Sequence, residues 1–154
     1  MQNNQENLNL LEKIEKFNSN VCFIDENKKK VIYKNIIKES EILTQDLKPR
    51  TLIFVLANNN VQSLTGYIGF LRRGLAQMLL DPKINVVLLQ QLIQTYSPDY
   101  LFLPISRYES FQHYDLINKL HGYKILKLNK ANHYSINKNL ALLLTTSGST
   151  GSKK

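Results

Sequence analysis

The sequence predicts an α/β protein in which a mostly parallel sheet is flanked by helices. Three observations support this prediction. From residue 51 onward, short apolar segments alternate with longer amphipathic ones. The short segments are continuously apolar, which is typical of strands buried on both faces. The links between segments are short and carry glycine, proline or asparagine, as in folds whose consecutive elements are neighbours in space.

The first fifty residues have a weaker pattern. Residues 8–17 place four apolar side chains on one helical face. Residues 21–24 and 31–33 flank a polar turn and predict a β-hairpin. Residues 35–47 have a helical period, and Pro49 closes that element. The four apolar residues of the first helix are Leu10, Leu11, Ile14 and Phe17.

The regular region begins at residue 51. The asparagines at residues 58–60 offer a helix N-cap, Gly74 is placed to end that helix, and Ser97 and Pro98 stop the next one. A polar stretch through residue 139 precedes the last strand. The predicted strands are residues 51–57, 75–80, 100–103, 123–128 and 140–144, and the predicted helices are 61–71, 84–96 and, more weakly, 108–120.

Composition narrows the class of protein. A chain of 154 residues with 43% hydrophobic residues is long enough for one domain with a core. No apolar run approaches the roughly 18 residues of a membrane-spanning helix, and the polar N-terminus lacks a secretory signal pattern. A cytoplasmic location is therefore expected. The single cysteine, Cys22, lies in an apolar run and is expected to be a buried, inert thiol.

The net charge of +8, from 20 basic and 12 acidic residues, raises the question of nucleic acid. The lysines are scattered between apolar positions, whereas a nucleic-acid surface shows clustered basic residues with aromatic platforms. Nucleic-acid binding is therefore not expected, although it stays as a third hypothesis. His113, His121 and His133 lie in different predicted elements without ligand-like spacing, so no metal site is expected.

A glycine- and hydroxyl-rich string follows the last predicted strand. Residues 140–144 are expected to form a buried strand that leads directly into it. Glycines let backbone amides approach an anion closely, hydroxyls donate to phosphate oxygens, and a lysine adds a mobile positive charge. Ligands of open α/β sheets also gather at the carboxyl ends of strands. The spacing does not fit a Walker A loop or G-x-G-x-x-G.

The string resembles the phosphate-loop signature of the adenylate-forming (AMP-binding) ligases, which include acyl-CoA synthetases and adenylation domains. That signature reads T-S-G-[ST]-T-G-x-P-K. Lys153 stands where the family usually has proline. The resemblance extends upstream to about residue 20, with landmarks at Gly74, Leu80, Asp81 and Pro82. The residues that match the signature are Thr146, Ser147, Gly148, Ser149, Thr150, Gly151 and Lys154.

The resemblance implies a partial AMP-binding domain over residues 1–154, ending at the phosphate loop of residues 146–154. It implies ATP and Mg²⁺ as cofactors and a carboxylic acid as substrate, activated as an acyl-adenylate. The acyl acceptor it implies is coenzyme A or a carrier pantetheine, so an acyl carrier protein is a possible partner. No residue of this chain matches a catalytic residue of the adenylation step. The chain is thus expected to be a truncated N-terminal subdomain, inactive alone.

Two other interpretations stay open. A Ser/Thr/Gly-rich end is also typical of a flexible linker. The second interpretation is that the chain is a non-catalytic module, or one half of a split enzyme whose remainder is separately encoded. The acid substrate cannot be inferred from these residues.

Overall fold

The computed structural model describes residues 14–128, 136–137 and 139–144. This part has the predicted α/β fold, with a six-stranded, mostly parallel sheet between helices. Its strands are β1 Val21–Ile24, β2 Lys30–Ile32, β3 Leu52–Leu56, β4 Ala76–Leu80, β5 Tyr100–Pro104, β6 Asp115–Leu120, β7 Tyr123–Lys127 and β8 Leu142–Leu144. Its helices are α1 Tyr33–Thr44, α2 Val61–Arg72 and α3 Val86–Tyr96, with 3-10 helices at Glu15–Phe17 and Ile105–Phe111.

The main sheet has the strand order β6-β7-β5-β3-β4-β8. Strands β3, β4, β5 and β8 are parallel to their neighbours in that group. Strands β7 and β6 extend the sheet beyond β5 in antiparallel pairing. Strands β1 and β2 form a separate antiparallel hairpin, as predicted. The predicted strands at residues 51–57, 75–80 and 100–103 are therefore confirmed as the parallel centre of the sheet.

Side chains of the central strands divide between two cores. In β3, Phe54 packs with α3 on one face, whereas Ile53 and Val55 pack with α1 and α2 on the other. Every residue of β3 is buried, which explains why its sequence is continuously apolar. The chain steps from β3 to β4 in one direction and from β4 back across to β5 in the other. Right-handed crossovers then place α2 and α3 on opposite faces.

Side-chain caps stabilise the starts of α2 and α3, and the cap of α2 was predicted. Asn60 precedes α2, and its Oδ1 accepts a hydrogen bond from the Ser63 amide at 2.9 Å. Asn85 caps α3 in the same way, accepting from the Val87 amide at 2.8 Å. Gly74 adopts φ 76° shortly after α2 ends, a conformation that glycine adopts without strain. Each cap satisfies backbone amides that a helix start leaves unpaired.

The predicted helix at residues 108–120 is wrong. This segment contains the end of a 3-10 helix, Ile105–Phe111, and then strand β6. Strand β6 pairs with β7 through a two-residue turn, with Leu120 opposite Tyr123. His121 and Gly122 both have positive φ, 29° and 85°, which fits the type I′ turns favoured in two-residue hairpins. The hairpin pairing determined the structure here, because the helical period was weak.

A further difference concerns the first predicted helix. Of the helix predicted at residues 8–17, residues 8–13 lie outside the described part, and the described remainder includes the 3-10 helix Glu15–Phe17.

The longest described helices have 12 residues, so none of them is long and apolar enough to cross a bilayer.

Candidate functional site at the carboxyl edge of the sheet

The parallel strands end together at one edge of the sheet. The Ala57 amide donates to the Leu80 carbonyl at 3.1 Å, so the chain leaves β3 and β4 at the same level. From there, the chain after β3 enters α2 on one face, and the chain after β4 enters α3 on the other. Adjacent strands whose connections diverge in this way form a crevice in which α/β proteins bind ligands. This carboxyl edge is the candidate site.

Strand β8 leads to the same edge. Its residues pair in parallel with β4, with Leu144 opposite Leu79. Leu144, the last described residue, therefore lies one residue short of the level at which β4 ends. The string predicted to bind phosphate, residues 146–154, lies outside the described residues, so its geometry stays a prediction. Strand β8, which precedes the string in sequence, ends at the carboxyl edge.

The prediction that residues 140–144 form a buried strand is wrong. Leu142 and Leu143 are half-buried, and Leu144 is 68% exposed. The reason is position in the sheet, since β8 is the edge strand and pairs on one side with β4 among the described strands. A run of leucines is as compatible with an edge strand as with a central one, and composition alone does not distinguish the two.

The loop after β3 is held by a buried polar group from the antiparallel part of the sheet. The Tyr123 hydroxyl oxygen accepts hydrogen bonds from Asn58 Nδ2 at 2.6 Å and from Ser63 Oγ at 3.1 Å. Ser63 Oγ in turn accepts from the Asn58 amide at 2.9 Å. Tyr123 is 4% exposed and Ser63 6%, so this network is largely shielded from water. It fixes the start of the β3–α2 loop at the candidate site.

A cavity of about 510 Å³ opens beside this loop, against the turn of the β1–β2 hairpin. Its lining is mostly polar, and carboxylate and amide groups face it from both sides. The lining residues are Phe23, Asp25, Glu26, Asn27, Asn58, Asn59, Asn60, Val61 and Gln62. A second cavity, of about 470 Å³, lies near the C-terminal end of α3. It is remote from the carboxyl edge, because α3 begins at that edge and ends at the opposite one.

The loop after β4 is a turn that is closed by hydrogen bonds between its own residues. Asp81 Oδ1 accepts from the Lys83 amide at 2.7 Å, and the Ile84 amide donates to the Asp81 carbonyl at 3.0 Å. Of the landmarks of the resemblance, Asp81 and Pro82 belong to this turn and Leu80 is buried in the core. Gly74 is at the opposite edge, where its carbonyl accepts from the Arg50 amide at 2.9 Å just before β3. In this structure, Gly74 has a structural role.

Sequence reasoning missed Arg107. This residue lies in the 3-10 helix after β5, and its half-buried side chain donates through Nη2 to the Ile84 carbonyl at 2.6 Å. It therefore connects the loops that follow β5 and β4. A basic residue shortly after a predicted parallel strand was the available signal. The sequence did not predict the role of Arg107, because this residue precedes a segment, residues 108–120, that was predicted to be a helix without a relation to the site.

Among the described residues, no group of three or more His, Cys, Asp or Glu side chains is placed to hold a metal ion. His113 stacks on its neighbour Tyr114 at 4.1 Å between ring centroids, and His121 belongs to the β6–β7 turn. His133 lies outside the described residues. The two described histidines therefore have structural roles, one in a ring contact and one in a turn.

Cys22 is a half-buried thiol in β1. Its Sγ donates to the Val31 carbonyl at 3.2 Å. Desolvation by burial raises the pKa of this thiol above its ordinary value, although the backbone hydrogen bond acts in the opposite direction. Because the thiolate is the reactive form, a raised pKa means less nucleophile at neutral pH.

We expect Cys22 to alkylate more slowly in the folded chain than in urea. The midpoint of its rate against pH should also lie higher in the folded chain, because burial favours the protonated thiol. Iodoacetamide labelling followed by mass spectrometry at a series of pH values measures both quantities. A folded-state midpoint at or below the unfolded one would contradict the inferred effect of burial.

Comparisons with known proteins give the fold and no more. No protein-family model and no curated protein matches the chain. Among solved structures, a complex of VinN with L-aspartate is similar with a TM-score of 0.50 and 20% sequence identity. The match covers 58% of this chain and 27% of that chain. The fold and site thus define an α/β protein with an open carboxyl edge.

Proposed function

We propose that this chain is the N-terminal part of an ATP-dependent ligase that activates a carboxylic acid. The observation that carries the proposal is the position of β8. This strand runs parallel to β4 and ends at the carboxyl edge, where α/β sheets bind ligands, and the string that resembles a phosphate loop follows it in sequence.

Within this proposal, residues 146–154 hold the β- and γ-phosphates of ATP. Gly148 and Gly151 let backbone amides converge on the phosphates, while the Ser149 and Thr150 hydroxyls and Lys154 add donors. Magnesium, when bound, neutralises part of the phosphate charge, and hydroxyl oxygens suit its preference for oxygen ligands. Lys153 occupies the place of the family's proline and is given no contact.

The proposed reaction has two steps. A carboxylate oxygen attacks the α-phosphorus of ATP, the bond to the bridging oxygen breaks, and pyrophosphate leaves with that electron pair. The loop assists by stabilising the charge that accumulates on pyrophosphate. A thiol, of coenzyme A or of a carrier protein, then takes the acyl group and releases AMP. No residue of this chain is given a catalytic role in either step.

The first test is MgATP binding by the chain itself. Changing Lys154→Gln removes a charge-assisted contact and should weaken MgATP binding about tenfold or more. Gly148→Ala should weaken it as well, because an added Cβ restricts the backbone. Lys153→Gln is the matched control, since it removes the same charge one residue earlier. Isothermal titration calorimetry at constant ionic strength measures the three dissociation constants.

Equal losses in Lys153→Gln and Lys154→Gln would mean that only net charge matters and would reject the loop assignment. The same conclusion would follow if MgATP did not bind the wild-type chain. The two lysines are adjacent, and each change removes the same charge and introduces the same side chain. A difference between them therefore reports on binding geometry.

One alternative is favoured by a specific observation. The outer side of β8 is unpaired among the described strands, and Leu144 is 68% exposed. A free, apolar strand edge is a surface on which another chain can pair. This supports a module that works with a separately encoded remainder. Co-expression with a candidate remainder, followed by size-exclusion chromatography, would distinguish a stable complex from independent chains.

A further inference from the structure

Arg107 is a half-buried arginine whose charge has no described carboxylate partner. Both ion pairs among the described residues involve Arg72, with Glu15 and Glu41. The described partner of Arg107 is a neutral backbone oxygen, the Ile84 carbonyl at 2.6 Å. Burial of a charge is costly without a compensating group. An arginine in this position is therefore suited to an anion that arrives from outside the fold.

The position of Arg107 places it at the candidate site. Ile84 lies in the loop after β4, and β4 is the neighbour of β8. Tyr108, Ile84 and Leu143 pack on the same hydrophobic core, on the α3 face of the sheet. Arg107 is thus on the α3 side of the edge at which the chain leaves β8. The two connections that it joins are those after β4 and β5.

The nearby charges are mixed, because Asp81 belongs to the turn that contains Ile84 and Glu109 to the same 3-10 helix as Arg107, while a second cation, Lys124, lies close by. Lys124 Nζ lies 3.1 Å from the centroid of the Tyr108 ring, and Lys124 is opposite Leu103 near the end of β5. A lysine over an aromatic face is stabilised by the ring, so Lys124 keeps its positive charge here without a carboxylate partner. Asp81 accepts from the Lys83 amide within its own turn at 2.7 Å, so anion binding is inferred from the donors of Arg107 itself and not from the net charge of the edge.

We propose that Arg107 binds an oxyanion, a phosphate or carboxylate group of a small ligand, at the carboxyl edge. A guanidinium has five N–H donors in a planar fork that matches such oxygens. The Ile84 bond engages one nitrogen and fixes the direction of the fork. Anion binding by Arg107 follows from its own surroundings. The identification of the anion as a phosphate of ATP or the carboxylate of the acid rests on the proposed function.

The competing interpretation is purely structural, in which Arg107 only connects two loops. Arg73 provides a matched control, because its Nε donates to the Leu47 carbonyl at 2.9 Å and its Nη2 to the Gln45 carbonyl at 3.1 Å. It follows the C-terminal end of α2, at the opposite edge of the sheet. Changing either arginine to glutamine removes one charge and contacts with backbone oxygens, but Arg107→Gln alone removes the proposed anion ligand.

The experiment follows thermal unfolding of wild type, Arg107→Gln, Arg107→Lys and Arg73→Gln in sodium pyrophosphate and in sodium acetate, at ionic strength fixed with sodium chloride. Each dissociation constant comes from the shift relative to that variant's own unliganded midpoint, so a loss of stability alone does not change it. We expect Arg107→Gln to weaken binding of one probe about tenfold or more. Arg107→Lys should lie between, and Arg73→Gln should match wild type.

The probe that responds identifies the source of the anion, pyrophosphate for a phosphate and acetate for a carboxylate. Unchanged constants in Arg107→Gln, equal losses in Arg73→Gln, or no binding of either probe by wild type would each overturn the proposal. Including Lys154→Gln separates the two hypotheses. With pyrophosphate, loss in Lys154→Gln alone, together with unchanged acetate binding in Arg107→Gln, supports the phosphate loop and rejects Arg107, whereas loss in Arg107→Gln alone supports Arg107 and rejects the loop. With acetate, loss in Arg107→Gln supports Arg107, and the loop is then judged by the MgATP titration.

Discussion

Replacing Phe102 by alanine is expected to lower the free energy of unfolding by about 3–5 kcal/mol. Phe102 lies in β5 and is fully buried. Its ring contacts Phe70 at 5.2 Å and Tyr123 at 4.7 Å between centroids, so its removal leaves a cavity between the sheet and α2. Since domains of this kind are stable by only about 5–15 kcal/mol, this change should remove a large share of the domain's stability.

Urea unfolding followed by circular dichroism measures this loss. Phe17→Ala is the matched control, because the same atoms are removed from a side chain that is 51% exposed. Its cost should be about 0.5 kcal/mol or less. Phe102→Leu should fall between the two, since it keeps most of the apolar volume. Similar losses at positions 17 and 102 would show that the core packs differently from the description above.

The central strands were predictable because their burial leaves a direct trace in sequence. A strand covered on both faces by helices cannot alternate with polar residues, and β3 is buried at every position. The start of α2 was predictable for a local reason, because Asn60 accepts an amide within its own first turn. Asn85 caps α3 in a similar way, but the helix was predicted to begin at residue 84. Both signals depend on neighbours in sequence or on simple exclusion of water.

Strand β6 was not predictable by the same means. Its exposed positions reflect its place at the sheet edge, and its pairing is determined by the turn at His121 and Gly122. Residue 121 has φ 29°, and histidine there is a weak turn signal beside the usual Asn or Asp. The sequence therefore did not predict the antiparallel extension of the sheet beyond β5.

The candidate site was predicted in part. A chain that leaves a parallel strand at its carboxyl end enters the region in which ligands bind, and β8 does end there. Its place at the edge of the sheet was missed, because strand order depends on which distant segments pair. Arg107 was missed for a related reason. Its contact with Ile84 joins residues 23 positions apart, and no local pattern indicates that the two loops meet.

Replacing Gly69 by leucine is the second change expected to have a large effect, a loss of about 2–3 kcal/mol. Gly69 lies where α2 packs against α1. A Cβ at this position would lie 2.9 Å from Ser40 Cβ, 3.0 Å from Thr44 Cγ2 and 3.1 Å from the Ser40 carbonyl oxygen. Because the last of these atoms is backbone, a longer side chain must push the two helices apart. Urea unfolding again measures the loss.

A double-mutant cycle tests whether this contact is the cause. Gly69→Ala by itself combines two opposing terms, a gain of about 1 kcal/mol in helix propensity and the clash with Ser40. Ser40→Gly removes the Cβ that Gly69 faces and so relieves part of the clash. Gly69→Ala should therefore be less destabilising in the Ser40→Gly background than in wild type. Equal effects in the two backgrounds would mean that the α1–α2 spacing does not depend on this glycine, since neighbours that compete for space cannot be additive.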